Sequence, residues 1–430
     1  RDERDDGDAH VTRVSAENLA PLLPEPMMPP LAEVAAPLSA STFASWEDVG
    51  RWFWGLARDQ LDADDETRKL ARDLTKGLTD EREKVRAIYD FVVQKTRYVA
   101  LEFGIEGFRP RRCTLTLSRG WGDCKDKAAV IVTMLRELGI PARLVLVRTG
   151  MRGLAPTDTP NYAFFDHAIA YVPSLDLYLD GTAEYTGMNE LPPMDRGAIG
   201  LQIVDGRGQL VRLPEPAAEA TRRGRTIELT LGEGPATIDL RVESSGAFAS
   251  ELRQRYHAEV TRRPRVLEDF GREFGGLSLQ NGAQGLEINN PDDIDRPVQM
   301  RLRGRALGIT RSESGDYGLQ VAPHGSLVAS YSALSSRRHP LRLPFRATYD
   351  DEWTIKLPAG LRLKHAPPSK TLNSPFGRLE LRVEPSAGKV LVRAKLSVDQ
   401  TRIAPAEYAA FRAFCEEVDR AFAERVVIGR

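Results

Sequence analysis

The stretch Gly120-Trp121-Gly122-Asp123-Cys124-Lys125-Asp126-Lys127 constrains this chain more than any other. Its glycines make a turn, and directly beyond it Ala128, Ile131, Val132, Leu135 and Leu138 recur at the 3.6-residue spacing of a buried helix face. Cys124 is therefore expected in the first turn of a helix. There the backbone N–H groups lack intrahelical partners and the dipole favours a thiolate, the reactive form of cysteine. Asp123 fits the N-cap. Lys125 and Lys127 are expected to face water rather than to act on the thiol.

The remaining chain is read by its relation to Cys124. At 430 residues it exceeds one ordinary core, and two or three domains are expected. Residues 1–45 combine an acidic run with Pro21, Pro24, Pro26, Pro29, Pro30 and Pro37. Such a mixture cannot build a core, and it reads as the extended tail of a truncated N-terminal β domain, in a fragment that begins at Arg1 without methionine or signal sequence. Residues 46–215 carry the core of interest. Trp46, Val49, Trp52, Phe53 and Leu56, then Val85, Ile88, Tyr89, Val92 and Val93, predict two or three helices before the cysteine, with their aromatics buried. After it, residues 143–149, 167–172 and 175–180 read as strands, which makes the fold class α+β.

Residues 216–430 read as a β-rich region of one or two subdomains. Residues 226–231 and 236–242 flank Gly232-Glu233-Gly234 as a hairpin, and 248–274 looks helical with a break near Pro264. Residues 298–396 alternate like antiparallel sheet of sandwich type. An amphipathic helix with Tyr408, Phe411, Phe414, Cys415, Val418 and Phe422 closes the chain, and Cys415 is expected as a packed thiol.

Charge excludes several classes of partner. Sixty basic residues against 61 acidic ones leave a formal net charge of -1, with no bulk field for nucleic acid or membrane surfaces. No apolar run approaches the roughly 20 residues of a bilayer span. Three cysteines, Cys113, Cys124 and Cys415, make neither a disulfide framework nor a C-x-x-C metal motif. No metal or cofactor is expected, nor a Cys113–Cys124 bridge.

A cysteine nucleophile needs a base, and the base needs an orienting acceptor. Of six histidines, His10 lies in the tail and His257, His324, His339 and His365 lie in later segments, whereas His167 begins a strand in the Cys124 domain. If Pro173-Ser174 is a two-residue loop, Val172 pairs with Leu175 and His167 stands directly opposite Asp180, with Cβ atoms roughly 4.5–5.5 Å apart. A four-residue loop displaced by one position makes Asp180 a diagonal neighbour on the same face. An odd loop puts them on opposite faces.

Gly122-Asp123-Cys124-Lys125-Asp126, Leu135 to Arg143 (LRELGIPAR), Phe165-Asp166-His167-Ala168 and Leu179-Asp180-Gly181-Thr182 resemble the nucleophile, strand, histidine and aspartate motifs of the transglutaminase-like superfamily. The similarity is greater to large bacterial members whose core lies between β-rich domains of unassigned function. It implies a papain-like core, Cys124 as nucleophile, His167 as general base and acid, and Asp180 as orienter. Asp166 stands where asparagine is usual, and Gly181 where proline is common.

The reaction expected is thiol-dependent hydrolysis or acyl transfer at peptide or protein amides, hydrolysis being favoured. The oxyanion would rest on the Cys124 backbone N–H, with Tyr98 as a candidate helper beside its reading as a core tyrosine. The alternative is a non-catalytic envelope scaffold that uses the β-rich region to hold a protein partner. A periplasmic or cell-envelope location is implied by the resemblance alone.

Overall fold

Four α-helices lie between Trp46 and Cys124 in the computed structural model, which describes residues 2–280, 282–321 and 325–430; His324 lies outside the described residues. They are Trp46–Ala57, Asp65–Leu74, Glu81–Lys95 and Cys113–Arg119. The first three start on side-chain caps, in which Ser45, Asp64 and Asp80 accept from Asp48, Thr67 and Glu83 N–H groups. The helices at Asp65–Leu74 and Cys113–Arg119 are short and carry few large apolar residues, so periodicity alone underweights them. Not every aromatic on this layer is buried. Phe53 and Tyr89 are, but Trp52 is 38% exposed.

The next helix, Cys124–Glu137, is the axis of the core, with every residue from Cys124 to Leu135 buried. A helix buried on all sides must hide its polar positions as well as its apolar ones. It packs against three of the preceding helices and against the strand His167–Val172.

That strand belongs to a five-stranded antiparallel sheet in the order Leu177–Leu179, His167–Val172, Arg143–Arg148, Ile199–Val204, Arg207–Arg212. The last two strands were not foreseen, although Asp205-Gly206 between them is a hairpin signal, and both residues take positive φ (49° and 75°). The hairpin lies against Trp46–Ala57 so closely that a Cβ on Gly50 would stand 2.0 Å from the Gly208 nitrogen.

Beyond residue 221 a nine-stranded sheet dominates. The expected hairpin is Arg222–Thr230 with Ala236–Ser244. The sheet is not wholly antiparallel, because Arg222–Thr230 pairs parallel with Ala347–Lys356, a partner more than 100 residues away in sequence. The helical stretch breaks at His257-Ala258, between Ala247–Tyr256 and Glu259–Glu273, and Pro264 sits inside the second helix. Tyr408–Ala423 buries its predicted face, Cys415 included, in one connected core that runs from Ile227 to Ile428.

The N-terminal segment is more than a loose tail. After an exposed hairpin of Asp2–Asp6 and Ala9–Arg13, Glu25 accepts from the Arg338 and His339 N–H groups at 2.8 and 3.1 Å. Glu33 accepts from Leu154 N–H at 2.8 Å and pairs with Arg402. The segment thus ties the cysteine core to the β-rich region.

Candidate active site

Cys124 is the first residue of its helix, and its position is fixed by a reciprocal cap. Asp123 accepts from Asp126 N–H at 3.2 Å while the Asp126 carboxylate accepts from Asp123 N–H at 3.2 Å. Gly122 is required here: a Cβ on it would stand 2.6 Å from Asp126 Cβ and 2.9 Å from Thr116 Cγ2.

The expectation that the lysines face water is overturned. Lys125 is 4% exposed and Lys127 1%. Lys125 Nζ lies 2.6 Å from Asp123 Oδ2, while Arg111 donates to Asp126 from its backbone at 2.7 Å and its guanidinium at 3.0 Å. These pairs compensate charges that the helix position forces out of water. Lys127 Nζ donates to the Thr96 carbonyl at 2.7 Å, and burial lowers its pKa to about 8. The lysine stem also explains Gly181, where a Cβ would meet Lys127 Cβ and Ile131 Cδ1, each at 3.1 Å.

His167 opens its strand opposite Val147 and is 8% exposed. The hairpin takes the displaced even register: Val172 pairs with Leu177 and Ala170 with Leu179, around a four-residue turn with Asp176 at φ 50°. Direct opposition of His167 and Asp180 is therefore corrected to a diagonal relation on one face. The contact survives, because His167 Nε2 lies 3.2 Å from Asp180 Oδ2, close enough for an ion pair though oblique for a hydrogen bond. The other oxygen, Oδ1, accepts from Thr182 N–H at 2.8 Å and Thr182 Oγ1 at 2.7 Å.

The Cys124 side chain lies near enough to the same imidazole to help raise its pKa. With Nε2 turned to Asp180, Nδ1 is the ring nitrogen left for the thiol. Burial by itself would lower the His167 pKa, but the Asp180 carboxylate, and after it Cys124, hold it well above the usual histidine value. Asp180 is held below the usual carboxylate range: burial would raise it, and the His167 charge and Thr182 outweigh that.

Asp166, the residue before His167, is tied to the neighbouring strand. Its two oxygens accept from Thr149 N–H and Thr149 Oγ1 at 2.8 and 2.7 Å, anchoring the start of the histidine strand.

Residues 68–170, which include Cys124 and His167, match the transglutaminase-like superfamily. The core is transglutaminase-like. Residues 317–428 match a domain of unknown function with solved structure (DUF3858). A solved structure from Parabacteroides distasonis, provisionally named a protease, aligns over 90% of this chain and 59% of its own, with TM-score 0.56 and 14% identity. The chain thus spans less than two thirds of that protein's length. A second, from Cytophaga hutchinsonii and provisionally named a cysteine protease, aligns over 29% of this chain and 41% of its own, with TM-score 0.22 and 23% identity. No curated protein matches.

Within the transglutaminase-like core, sequence reasoning missed Asp195. It is 0% exposed, and one of its oxygens shares a 4.8 Å neighbourhood with His167 and Asp180. Burial, then the Asp180 charge, raises its pKa well above the usual carboxylate range. It follows Pro192-Pro193-Met194 in an aperiodic loop, where no pattern flags it. Glu102, Asp123 and Cys124 form a second cluster of close ligand atoms, and there the Lys125 ammonium already supplies the cation.

The surroundings of the thiol are aromatic. Tyr98 is 53% exposed on a two-residue strand beside Trp121-Gly122, so it is not a core tyrosine. Partial burial, then the Cys124 charge, pushes its pKa to about 12. Tyr162 also feels Cys124, and it packs edge-on against Trp52 and Phe108. Leu101, Phe103, Ile105 and Phe108 continue this apolar rim with exposures of 41–79%. Among the described residues no helix is long and apolar enough to cross a membrane.

Proposed function

We propose that the chain is a thiol-dependent amide hydrolase acting on peptide or protein substrates, with Cys124 as nucleophile, His167 as acid and base, and Asp180 as orienter. The observation that carries this reading is the buried His167–Asp180 pair, Nε2 to Oδ2 at 3.2 Å, on an imidazole whose pKa also responds to the helix-start Cys124. The thiolate attacks the amide carbonyl, and the tetrahedral oxyanion rests on the Cys124 N–H, which has no acceptor inside its helix. His167 then protonates the leaving amine, and a thioester remains. Water, deprotonated by His167, attacks the thioester and restores the thiol.

Hydrolysis is favoured over transfer to an amine, in agreement with the name of the Parabacteroides neighbour. The exposed apolar rim from Tyr98 to Phe108 suits substrates with large apolar side chains. A cell-envelope location remains the one suggested by the sequence resemblance.

The test is intact-mass detection of an acyl adduct on Cys124 after exposure to peptide libraries, with Cys124→Ala as control. An adduct that appears in the wild type, is absent from the control and decays in water supports the reading. No adduct from any peptide, together with His167→Ala leaving iodoacetamide alkylation of Cys124 unchanged, supports the envelope scaffold instead.

A further inference from the structure

A cavity of about 630 Å³ opens between the transglutaminase-like core and the β-rich region, and it is lined by Arg148, Arg196, Arg212, Arg342, Arg346 and Arg402. Glu215 is the one carboxylate on its wall, and Glu33 reaches in to pair with Arg402 and to accept from Leu154 N–H. Six guanidiniums against two carboxylates is a local excess that the net charge of -1 does not foreshadow.

Three of the other five arginines are held by neutral groups. Arg148 donates to the carbonyls of Gly153, Phe164 and Arg152 at 2.6, 3.0 and 3.1 Å, and Arg342 donates to the Gly150 carbonyl. Arg196 donates to the Leu191 carbonyl at 2.8 Å and to Thr221 Oγ1 at 2.9 Å. The Nε of Arg346 is buried without a hydrogen-bond partner among the described residues. Burial first, and then the neighbouring Arg402, lower the Arg342 pKa, against the opposing charges of Glu33 and Glu215. Folding like charges into one cleft costs free energy, and a bound anion offsets that cost.

We infer that this cleft binds a compact multivalent oxyanion bearing phosphate or carboxylate groups. Guanidinium forks match either group in bidentate fashion, and the volume is that of a small-molecule site at a junction of two units. Leu154, Leu213 and Leu343 add an apolar floor for the ligand's carbon or ester portion. The site is distinct from the thiol but adjoins its supports: Thr149, on the wall, holds Asp166, and Arg196 follows Asp195.

The probes are inorganic pyrophosphate and citrate, titrated calorimetrically into the full chain at fixed, low ionic strength. Saturable binding of one equivalent of either probe is expected, weakening as sodium chloride is raised. Tighter binding of pyrophosphate identifies a phosphate ligand, and tighter binding of citrate a carboxylate one. Arg212→Gln with Arg346→Gln removes two guanidiniums that make no hydrogen bond among the described residues, so the fold should survive, as circular dichroism checks. This double variant should bind at least about tenfold more weakly. Arg342→Gln, which also loses the tie to Gly150, is the second variant. The proposal is overturned if neither probe binds saturably, or if both variants bind as the wild type does.

Discussion

Two cysteines in this molecule each begin a helix, Cys113 at Cys113–Arg119 and Cys124 at Cys124–Glu137, yet their surroundings differ. Cys113 is 0% exposed and its thiol donates to the Asp62 carbonyl at 3.3 Å, while burial raises its pKa. No side chain caps its helix. Cys124 stands beside an imidazole, on a helix start wired by Asp123, Asp126, Lys125 and Arg111. A helix N-terminus is thus insufficient to make a nucleophile. What distinguishes the second site is a neighbouring imidazole and a helix start held by a reciprocal cap and buried ion pairs.

The largest expected effect separates the two thiols directly. Cys124→Ala should abolish acyl-adduct formation and turnover, whereas Cys113→Ala should change them less than about twofold; equal losses would erase the contrast. Next, His167→Ala should slow iodoacetamide alkylation of Cys124 by about 100-fold, the size of a general-base contribution, and leave Cys113 as unreactive as before. NMR titration of His167 should show its imidazolium persisting above the ordinary value of 6.5, and Asp180→Ala should bring the midpoint down.

Lys127 tests whether the second helix start carries a cost that the first does not. Its folded pKa of about 8 lies below the ordinary 10.5, so the unfolded chain binds more protons between those values and stability should rise with pH across that window. The gain is on the order of 3 kcal/mol. Lys127→Met should flatten that rise in denaturant titrations; an unchanged slope would mean the amine is not desolvated. At Asp195, replacement by asparagine keeps the side chain's shape without an ionisable group, and should hold kcat/KM within about threefold with an unmoved acid limb. Asp195→Ala should shift that limb. Tyr98→Phe should lose about tenfold in kcat with KM unchanged if its hydroxyl helps the oxyanion.

What the sequence revealed follows the range of each physical signal. Helix spacing after Cys124 and the alternation around His167 are local, and both placed their elements correctly. Hairpin counting reached Asp180 only because parity is robust: the turn took four residues rather than two, yet the same face was kept. Burial of Lys125 and Lys127 was not legible, since a charged residue near a helix start reads as solvated until the whole helix is known to be enclosed. Asp195 and the arginine cleft come from loops and strand ends that are distant in sequence, and no period links them. Asp205-Gly206 was legible and overlooked.

The parallel pairing of Arg222–Thr230 with Ala347–Lys356 has a consequence for biosynthesis. The five strands of the cysteine core are complete once residue 212 has emerged from the ribosome, whereas Arg222–Thr230 waits for more than a hundred further residues before its second edge is covered. Vectorial synthesis therefore presents a completed five-stranded sheet, whose core still awaits Ile294, beside a half-built sheet with an open edge, and long-range pairing of this kind is slow. A nascent chain stalled near residue 340 should be the species most in need of a chaperone.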